Sequence, residues 1–249
     1  MSSVAQKILI VVPALDEELS VGAVVRDIRQ AVPAAACLVV DDGSTDATAA
    51  NAAAEGAQVV SLPFNLGVGG AMRTGFRYAR THGYDVVVQV DADGQHDARQ
   101  VMTLVAGLAD ADIVIGARYA GVGDYDLRGP RRWAQRVLAA SVSAVAHQQL
   151  TDVTSGFKAM GPRAVALFAR TYPAEWLGDT VEALVIAGRA GLRIRQQPTA
   201  MRERQAGEPS HRVGKATLYL LRAGMAVLIA LIRPRVDVPG DAPARKGLT

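Results

Sequence analysis

The sequence predicts an α/β fold built on a mostly parallel, doubly wound sheet with helices on both faces. Over the first 120 residues, short β-branched runs alternate with stretches whose apolar residues have helical spacing. The strand-like runs are continuously apolar, which is typical of strands buried on both faces of a parallel sheet. With 249 residues, 50% of them hydrophobic, the chain can bury a large core and is not a disordered or fibrous polypeptide.

The predicted elements alternate along the first half of the chain. Strands are expected at residues 8–12, 36–40, 58–62, 86–90 and 113–115. Helices are expected between them at residues 20–31, 46–55, 69–81 and 98–108, and Ser44, Thr45 and Asp46 offer N-cap side chains to the second one. Right-handed crossovers in this order bring the carboxyl ends of the strands to one edge of the sheet, where ligands bind.

Beyond residue 120 the pattern changes. We expect a loop at 121–129, helices at 130–148, 163–169 and 180–190, a turn at 151–156 and a strand at 193–197. Residues 202–215 are polar and basic and contain Gly207 and Pro209, which favours a surface loop. The expected organisation is a main domain at residues 1–212, an apolar and basic helix at 213–235, and a disordered tail at 236–249.

Charge is divided unevenly along the chain, although the whole carries a formal net charge of +3. Residues 1–125 hold 8 basic and 15 acidic side chains, whereas residues 126–249 hold 19 basic and 9 acidic ones. This division favours a carboxylate-dependent task in the first half and anion binding in the second, with two differently charged solvated faces as the alternative. Nucleic-acid binding is not expected, because the basic half lacks interleaved aromatic residues and a known motif.

The single cysteine, Cys37, excludes an intramolecular disulfide and a cysteine-based zinc site. The N-terminal apolar run of about six residues is too short for a signal peptide. No uninterrupted apolar run approaches the ~20 residues that span a bilayer. We therefore expect a cytoplasmic protein.

Polar side chains follow four of the predicted strands, so the sheet geometry should gather them at one rim. They lie in the segments 13–18 (PALDEE), 41–44 (DDGS), 65–70 (NLGVGG) and 91–96 (DADGQH). In an extended segment Asp91 and Asp93 point the same way, and so does Gln95 if the backbone stays extended that far; their oxygens together would suit one hard divalent cation. The alternative is an aspartate-rich turn that caps a helix.

Five motifs in this order resemble those of family 2 glycosyltransferases of the GT-A fold, and most closely the branch that makes polyprenyl-phosphate sugars, the dolichol-phosphate mannose synthase type. They are VPALDE at 12–17, VVDDGSTD at 39–46, NLGVGGA at 65–71, VDADGQH (with a DXD motif) at 90–96 and GARY at 116–119. TSGF at 154–157 and the basic loop at 202–210 extend the resemblance to about residues 7–212.

The resemblance implies a metal-dependent, inverting hexosyltransferase that moves a sugar from a nucleoside-diphosphate sugar to a polyprenyl phosphate, for cell-envelope glycan or glycoconjugate assembly. Glu17 would accept from a ribose hydroxyl and Asp42 from the base. The donor-binding residues that it implies are Pro13, Leu15, Glu17, Asp42, Gly70, Arg73, Asp91, Ala92 and Arg204. Asp91, Asp93 and Gln95 would hold Mg²⁺ or Mn²⁺ against the donor diphosphate.

The chain departs from the family pattern at two places. Asp16 stands where the family often has asparagine. In the late basic loop, His211 stands just after Ser210, where the family often has lysine, and the extra Pro209 precedes them.

The resemblance also implies how the acceptor is held. Arg118 and one of Arg131 or Arg132 match positions that grip the acceptor phosphate, a task that suits the guanidinium fork. A phosphate monoester, with a second pKa of about 6, is already largely ionised at neutral pH and needs no general base. Asp179 lies where relatives that glycosylate a hydroxyl carry an acidic base, and its alternative role is a helix N-cap.

Two alternatives stay open: a hydroxyl acceptor with Asp179 as the base, and a non-catalytic module that binds a nucleotide sugar. A dinucleotide-dependent oxidoreductase is excluded, because its glycine fingerprint belongs at the first strand-to-helix turn, where this chain has no glycine.

Residues 216–232 are apolar nearly all round and are accompanied by Lys215, Arg222, Arg233 and Arg235. A helix of this kind is buried or lies against lipid, and the basic side chains suit anionic headgroups. We expect this segment to make the protein peripheral on the cytoplasmic face of the membrane, or to dock on a small membrane subunit. The alternative is a core helix.

Overall fold

The computed structural model describes residues 6–117, 130–173 and 179–202 and residue 238, without the side chains of residues 130–135, 137 and 179. All six strands expected from the sequence are present. The seven strands of the described part are β1 (Ile8–Ala14), β2 (Ala36–Asp41), β3 (Gln58–Ser61), β4 (Val86–Gln89), β5 (Ile113–Ala117), β6 (Lys158–Met160) and β7 (Ile194–Pro198). The helices are α1 (Val21–Ala31), α2 (Thr48–Ala54), α3 (Gly67–Thr81), α4 (Val101–Ala106), α5 (Pro130–Ala146), α6 (Pro162–Thr171) and α7 (Asp179–Arg189).

The strands form one mixed sheet in the order β3-β2-β1-β4-β6-β5-β7. Six strands run in the same direction, and β6 pairs antiparallel with both β4 and β5. The predicted mostly parallel, doubly wound sheet is confirmed. Only β6 was missed, because a strand of three residues is too short to show a periodic pattern.

Helices α2 and α3 each start two residues away from the expected position. Helix α2 begins at Thr48, and its N-cap residue is Ala47, so the expected side-chain cap from residues 44–46 is not formed, although the Asp46 carboxylate accepts the Thr48 amide (2.9 Å). Helix α3 begins at Gly67, two residues before the expected start, which places the glycines at 67, 69 and 70 in its first turn. The fourth helix is split into α4 and two short 3₁₀ turns, Ala98–Gln100 and Gly107–Ala109.

The core lies on both faces of the sheet, which explains the continuous apolar strands. In β1, Leu9 and Val11 face the helices α3, α5, α6 and α7, while Ile10 and Val12 face the layer that contains α1 and α4. Burial of each such side chain contributes about 1.5–3 kcal/mol to stability. On the first face Phe76 of α3 packs against Phe168 of α6, with ring centroids 5.2 Å apart. These two layers hold the strand ends in a fixed arrangement.

None of the helices within the described ranges is long and apolar enough to cross a bilayer. The expected helix at 213–235 and tail at 236–249, with the exception of residue 238, lie outside the described residues.

Cys37 in β2 is buried, and burial raises the pKa of its thiol to about 12. We expect the native protein to react only very slowly with a disulfide reagent such as DTNB at about pH 8, since the thiolate is the reactive form. One thiol should react promptly after denaturation. Because the unfolded thiol ionises first, the free energy of unfolding should fall as the pH rises from about 9 towards 12. Equally fast reaction of native and denatured protein would contradict this prediction.

Candidate active site

The loops after β1 and β2 are tied together at the carboxyl edge of the sheet. The Asp16 amide donates to Ser44 Oγ (3.0 Å), and Asp16 Oδ1 accepts the amide of Thr45 (2.8 Å). Asp16 has a φ of 51°, in the left-handed region that asparagine and aspartate tolerate better than most residues. The aspartate therefore keeps the backbone conformation and the acceptor oxygen that an asparagine would supply here.

Three residues expected to bind the nucleoside lie at the end of β1. Pro13 is buried in the strand beside Val40 of β2, and Leu15 is exposed at the start of the loop. The Glu17 carboxylate accepts the hydroxyl of Ser20 at 2.6 Å. An exposed apolar side chain next to a carboxylate offers contacts for a base and for a ribose hydroxyl.

The Asp42 carboxylate caps helix α3. Its two oxygens accept the amides of Leu66 and Gly67, each at 2.8 Å. Burial raises the pKa of the Asp42 carboxyl above its ordinary value, although the two amides act in the opposite direction. The helix-cap alternative for a strand-end aspartate is thus realised, for α3 and not for the helix that directly follows. Its contact with a nucleotide base stays a prediction.

Gly70 and Arg73 lie on α3. Gly70 is buried against Leu66, whose Cβ would clash with a Cβ at position 70. Arg73 Nη2 donates to the Arg170 carbonyl at the end of α6 (3.5 Å), and its buried Nε has no hydrogen-bond partner among the described residues.

The residues expected to hold a metal ion lie in the segment 90–97 after β4, which we call the acidic loop. Its backbone turns at residues 92–94, where Gly94 has a φ of 77° and Asp93 Oδ1 accepts the Gln95 amide (3.0 Å). The extended backbone on which the alignment of Gln95 with the two aspartates depended is therefore not observed. Ala92 packs into the core, so it can meet a donor only through its backbone.

Asp91 is held from three directions. Its Oδ1 accepts Gln89 Nε2 (3.1 Å), and its amide donates to His96 Nδ1 (3.0 Å). The carboxylate also lies against Gly156, where an added Cβ would be 2.6 Å from Oδ2 and 2.8 Å from Oδ1. Because the side chain remains 37% exposed, these contacts orient the carboxylate without closing it off from a ligand.

His96 supports Asp91 from the core side. Its buried ring stacks on Phe157 with centroids 4.8 Å apart and an interplanar angle of 16°. To accept the hydrogen bond from the Asp91 amide, Nδ1 must carry no proton, so the neutral ring carries its proton on Nε2. Nε2 lies 3.7 Å from Asp91 Oδ2. This arrangement fixes the orientation of the ring.

The acidic loop has the chemistry of a site for a hard cation. Two carboxylates and the Gln95 amide lie at this strand end, and oxygen atoms of these types are the ligands that Mg²⁺ and Mn²⁺ prefer. Within the described ranges, no three His, Cys, Asp or Glu side chains are grouped closely enough to hold a metal by themselves. A small ligand set fits Mg²⁺ or Mn²⁺ that completes its coordination with substrate phosphates and water.

The turn at 151–156 is joined to the end of β5. Ser155 Oγ donates to the Gly116 carbonyl (2.7 Å), and the Thr199 amide donates to the Ala117 carbonyl (3.1 Å). These contacts fix the strand end that directly precedes Arg118 in the chain.

The remaining predicted residues are placed only in part. Arg118 and Arg204 lie outside the described residues. Arg131 and Arg132 fall in the first turn of α5, and Asp179 is the first residue of α7. The side chains of these three lie outside the described part.

Sequence reasoning missed the supporting roles of Gln89, His96 and Gly156. Gln89 was visible as one polar residue within an apolar strand, and its 2% exposure shows that it is a core residue with a polar task. The contact between Gly156 and Asp91 carries no local signal, because the two residues are 65 positions apart.

A model of the family described as glycosyl transferase family 2 matches residues 9–167. The undecaprenyl-phosphate mannosyltransferase of Micrococcus luteus is 33% identical over 247 residues, which cover 93% of this chain and 100% of that protein. The polyprenol monophosphomannose synthase of Mycolicibacterium smegmatis is 31% identical over 167 residues, 62% of this chain and 61% of that one.

A solved structure shows the same fold. Glucosyl-3-phosphoglycerate synthase from Mycobacterium tuberculosis, in complex with Mn²⁺, UDP and phosphoglyceric acid, matches with a TM-score of 0.69 at 22% identity. The match covers 92% of this chain and 80% of that chain. The family model spans more than half of the chain and the Micrococcus luteus relative matches nearly all of it, so this chain belongs to glycosyl transferase family 2 and is a glycosyltransferase.

Proposed function

We propose that this glycosyltransferase moves a sugar from a nucleoside diphosphate to a polyprenyl phosphate, with inversion at the anomeric carbon. The observation that carries the proposal is the similarity to the undecaprenyl-phosphate mannosyltransferase over 93% of the chain. The product would be a polyprenyl-phosphate sugar for cell-envelope glycan or glycoconjugate assembly.

The donor would lie along the rim formed by the ends of β1, β2 and β4. Leu15 and Glu17 would contact base and ribose, and Asp42 would order the start of α3 beside them. Asp91, Asp93 and Gln95 would hold Mg²⁺ or Mn²⁺. When bound there, the cation would neutralise charge that develops on the departing diphosphate.

A phosphate acceptor needs arginine side chains to hold it in place and needs no general base to remove a proton. A phosphate oxygen of the acceptor would bond to the anomeric carbon as the bond from that carbon to the diphosphate breaks. Because the phosphate is already ionised, its main requirement is to be placed next to the donor, and we assign this to Arg118 and to Arg131 or Arg132.

The acceptor is a lipid, so part of the chain must meet a membrane. We assign this task to the apolar and basic segment 213–235, which follows the catalytic domain at 1–212. It would lie on the cytoplasmic surface of the membrane or against a small membrane subunit.

The test is an acceptor and donor panel. The protein is incubated with Mg²⁺ or Mn²⁺, a polyprenyl phosphate and several nucleotide sugars, and lipid-linked product is measured by mass spectrometry. We expect product with one donor, and loss of product when EDTA removes the metal. Transfer only to a hydroxyl acceptor would overturn the proposal and favour Asp179 as a general base, and binding without any transfer would favour a non-catalytic module.

A further inference from the structure

Arg202 connects three parts of the chain that are far apart in sequence. Its amide donates to the Gln95 carbonyl in the acidic loop (2.9 Å). Its Nη1 donates to Asp27 Oδ2 on α1 (2.6 Å), and its Nη2 donates to Asp97 Oδ1 (2.8 Å). One residue thus ties the acidic loop both to the chain that follows β7 and to a helix.

Both backbone polar groups of Gln95 are hydrogen-bonded. Its amide donates to Asp93 Oδ1 at 3.0 Å, and its carbonyl accepts from Arg202. A loop without regular secondary structure has few backbone hydrogen bonds of its own, so these two restrict where Asp93 and Gln95 can lie.

The neighbouring contacts act in the same direction. His96 forms an isolated antiparallel bridge with Met201, and Gln100 Nε2 donates to the Ala200 carbonyl (3.2 Å). The Asp97 carboxylate is buried, so the charged hydrogen bond from Arg202 gains from the low local dielectric. Residues 200–202 therefore lie against the C-terminal half of the acidic loop and restrict its movement.

We propose that Arg202 is a positioning residue for donor binding: by bridging Asp27 and Asp97 and by binding the Gln95 carbonyl, it holds Asp93 and Gln95 where the donor diphosphate must meet them. This proposal rests on the proposed function in one respect, namely that the donor diphosphate binds at the acidic loop. Arg202 itself touches no reacting atom in this scheme.

The first test needs neither substrate nor metal. Amide hydrogen exchange is measured for peptides that cover residues 91–97 in the wild type and in the Arg202→Gln and Asp27→Asn variants. We expect exchange about five- to tenfold faster in Arg202→Gln and a smaller increase in Asp27→Asn, since each loses charged hydrogen bonds that oppose local opening. Asp27 is 43% exposed at its side chain, so its replacement should leave the fold intact.

The matched control is Arg195→Gln. It breaks the exposed ion pair between Arg195 and Asp110 (3.2 Å), which involves the same residue types outside the acidic loop. Exchange at 91–97 should stay at the wild-type rate in this variant. Unchanged exchange in Arg202→Gln, or the same increase in Arg195→Gln, would overturn the proposal.

The second test separates positioning from general destabilisation. With the acceptor that the wild type uses, Arg202→Gln should raise the donor KM about tenfold and leave the acceptor KM within about twofold. A parallel rise of both KM values would show a merely structural role. If the wild type uses a hydroxyl acceptor, the proposed function is overturned, but the donor KM still tests the role of Arg202. If the wild type transfers no sugar, the hydrogen-exchange result alone tests that role.

Discussion

Replacement of Asp93 by alanine should lower the rate of sugar transfer by at least about 10³-fold. The change removes a carboxylate from the acidic loop, and a metal ion that neutralises a departing diphosphate supplies several kcal/mol, where each 1.4 kcal/mol is about tenfold in rate. It also removes the acceptor that holds the Gln95 amide at 3.0 Å. The measurement is turnover in the panel assay at saturating donor, together with the melting temperature.

Asp93→Asn separates charge from geometry. Asparagine keeps an oxygen that can accept the Gln95 amide, so the turn at 92–94 should persist while the negative charge is lost. We expect Asp93→Asn to be nearly as inactive as Asp93→Ala but to melt closer to the wild type. The control is Asp110→Asn, which lies before β5 at the opposite edge of the sheet and should remain fully active. Normal turnover in either Asp93 variant would remove this residue from the site.

Replacement of Gly156 by alanine should lower kcat/KM for the donor by about 10- to 100-fold. An alanine Cβ would lie 2.6 and 2.8 Å from the two carboxylate oxygens of Asp91, so the carboxylate must rotate away. Rotation breaks its hydrogen bond from Gln89 Nε2 and moves a candidate metal ligand out of place. Displacement of a group that orients a metal ligand typically costs this much activity.

The stability of Gly156→Ala should change little, because the displaced carboxylate is partly exposed and can turn towards solvent. Gly156 has no positive φ, so alanine introduces no backbone strain. The control is Gly161→Ala, whose added Cβ would meet its nearest atom at 3.5 Å, an ordinary contact. A fall in melting temperature that matches the fall in activity, or equal activity of the two variants, would contradict the assignment.

The edge of the sheet that carries the site could be predicted from the sequence. Asp16, Asp42 and Asp91 each lie at the end of a mostly apolar run, and parallel strands joined by helices must present their carboxyl ends together. The structure confirms that rim and the strands that build it. The acidic loop follows a strand as expected, but its backbone conformation could not be predicted, since the left-handed Gly94 and the Asp93 side chain turn the backbone.

What the sequence by itself determined is the class of the sheet, the order of its parallel strands along the chain and the rim where the polar residues gather. These follow from patterns that extend over neighbouring residues, and such patterns are set by burial on one or both faces of an element. The tertiary structure alone decided which side chains support that rim.

The reason is the distance along the chain between the partners. Asp42 caps a helix 25 residues later, and Arg202 binds Asp97 across 105 residues. Their pairing depends on how helices and strands pack against each other, which no local pattern records. The three-residue strand β6, which carries Lys158 between β4 and β5, likewise exists only because two neighbouring strands supply its hydrogen bonds.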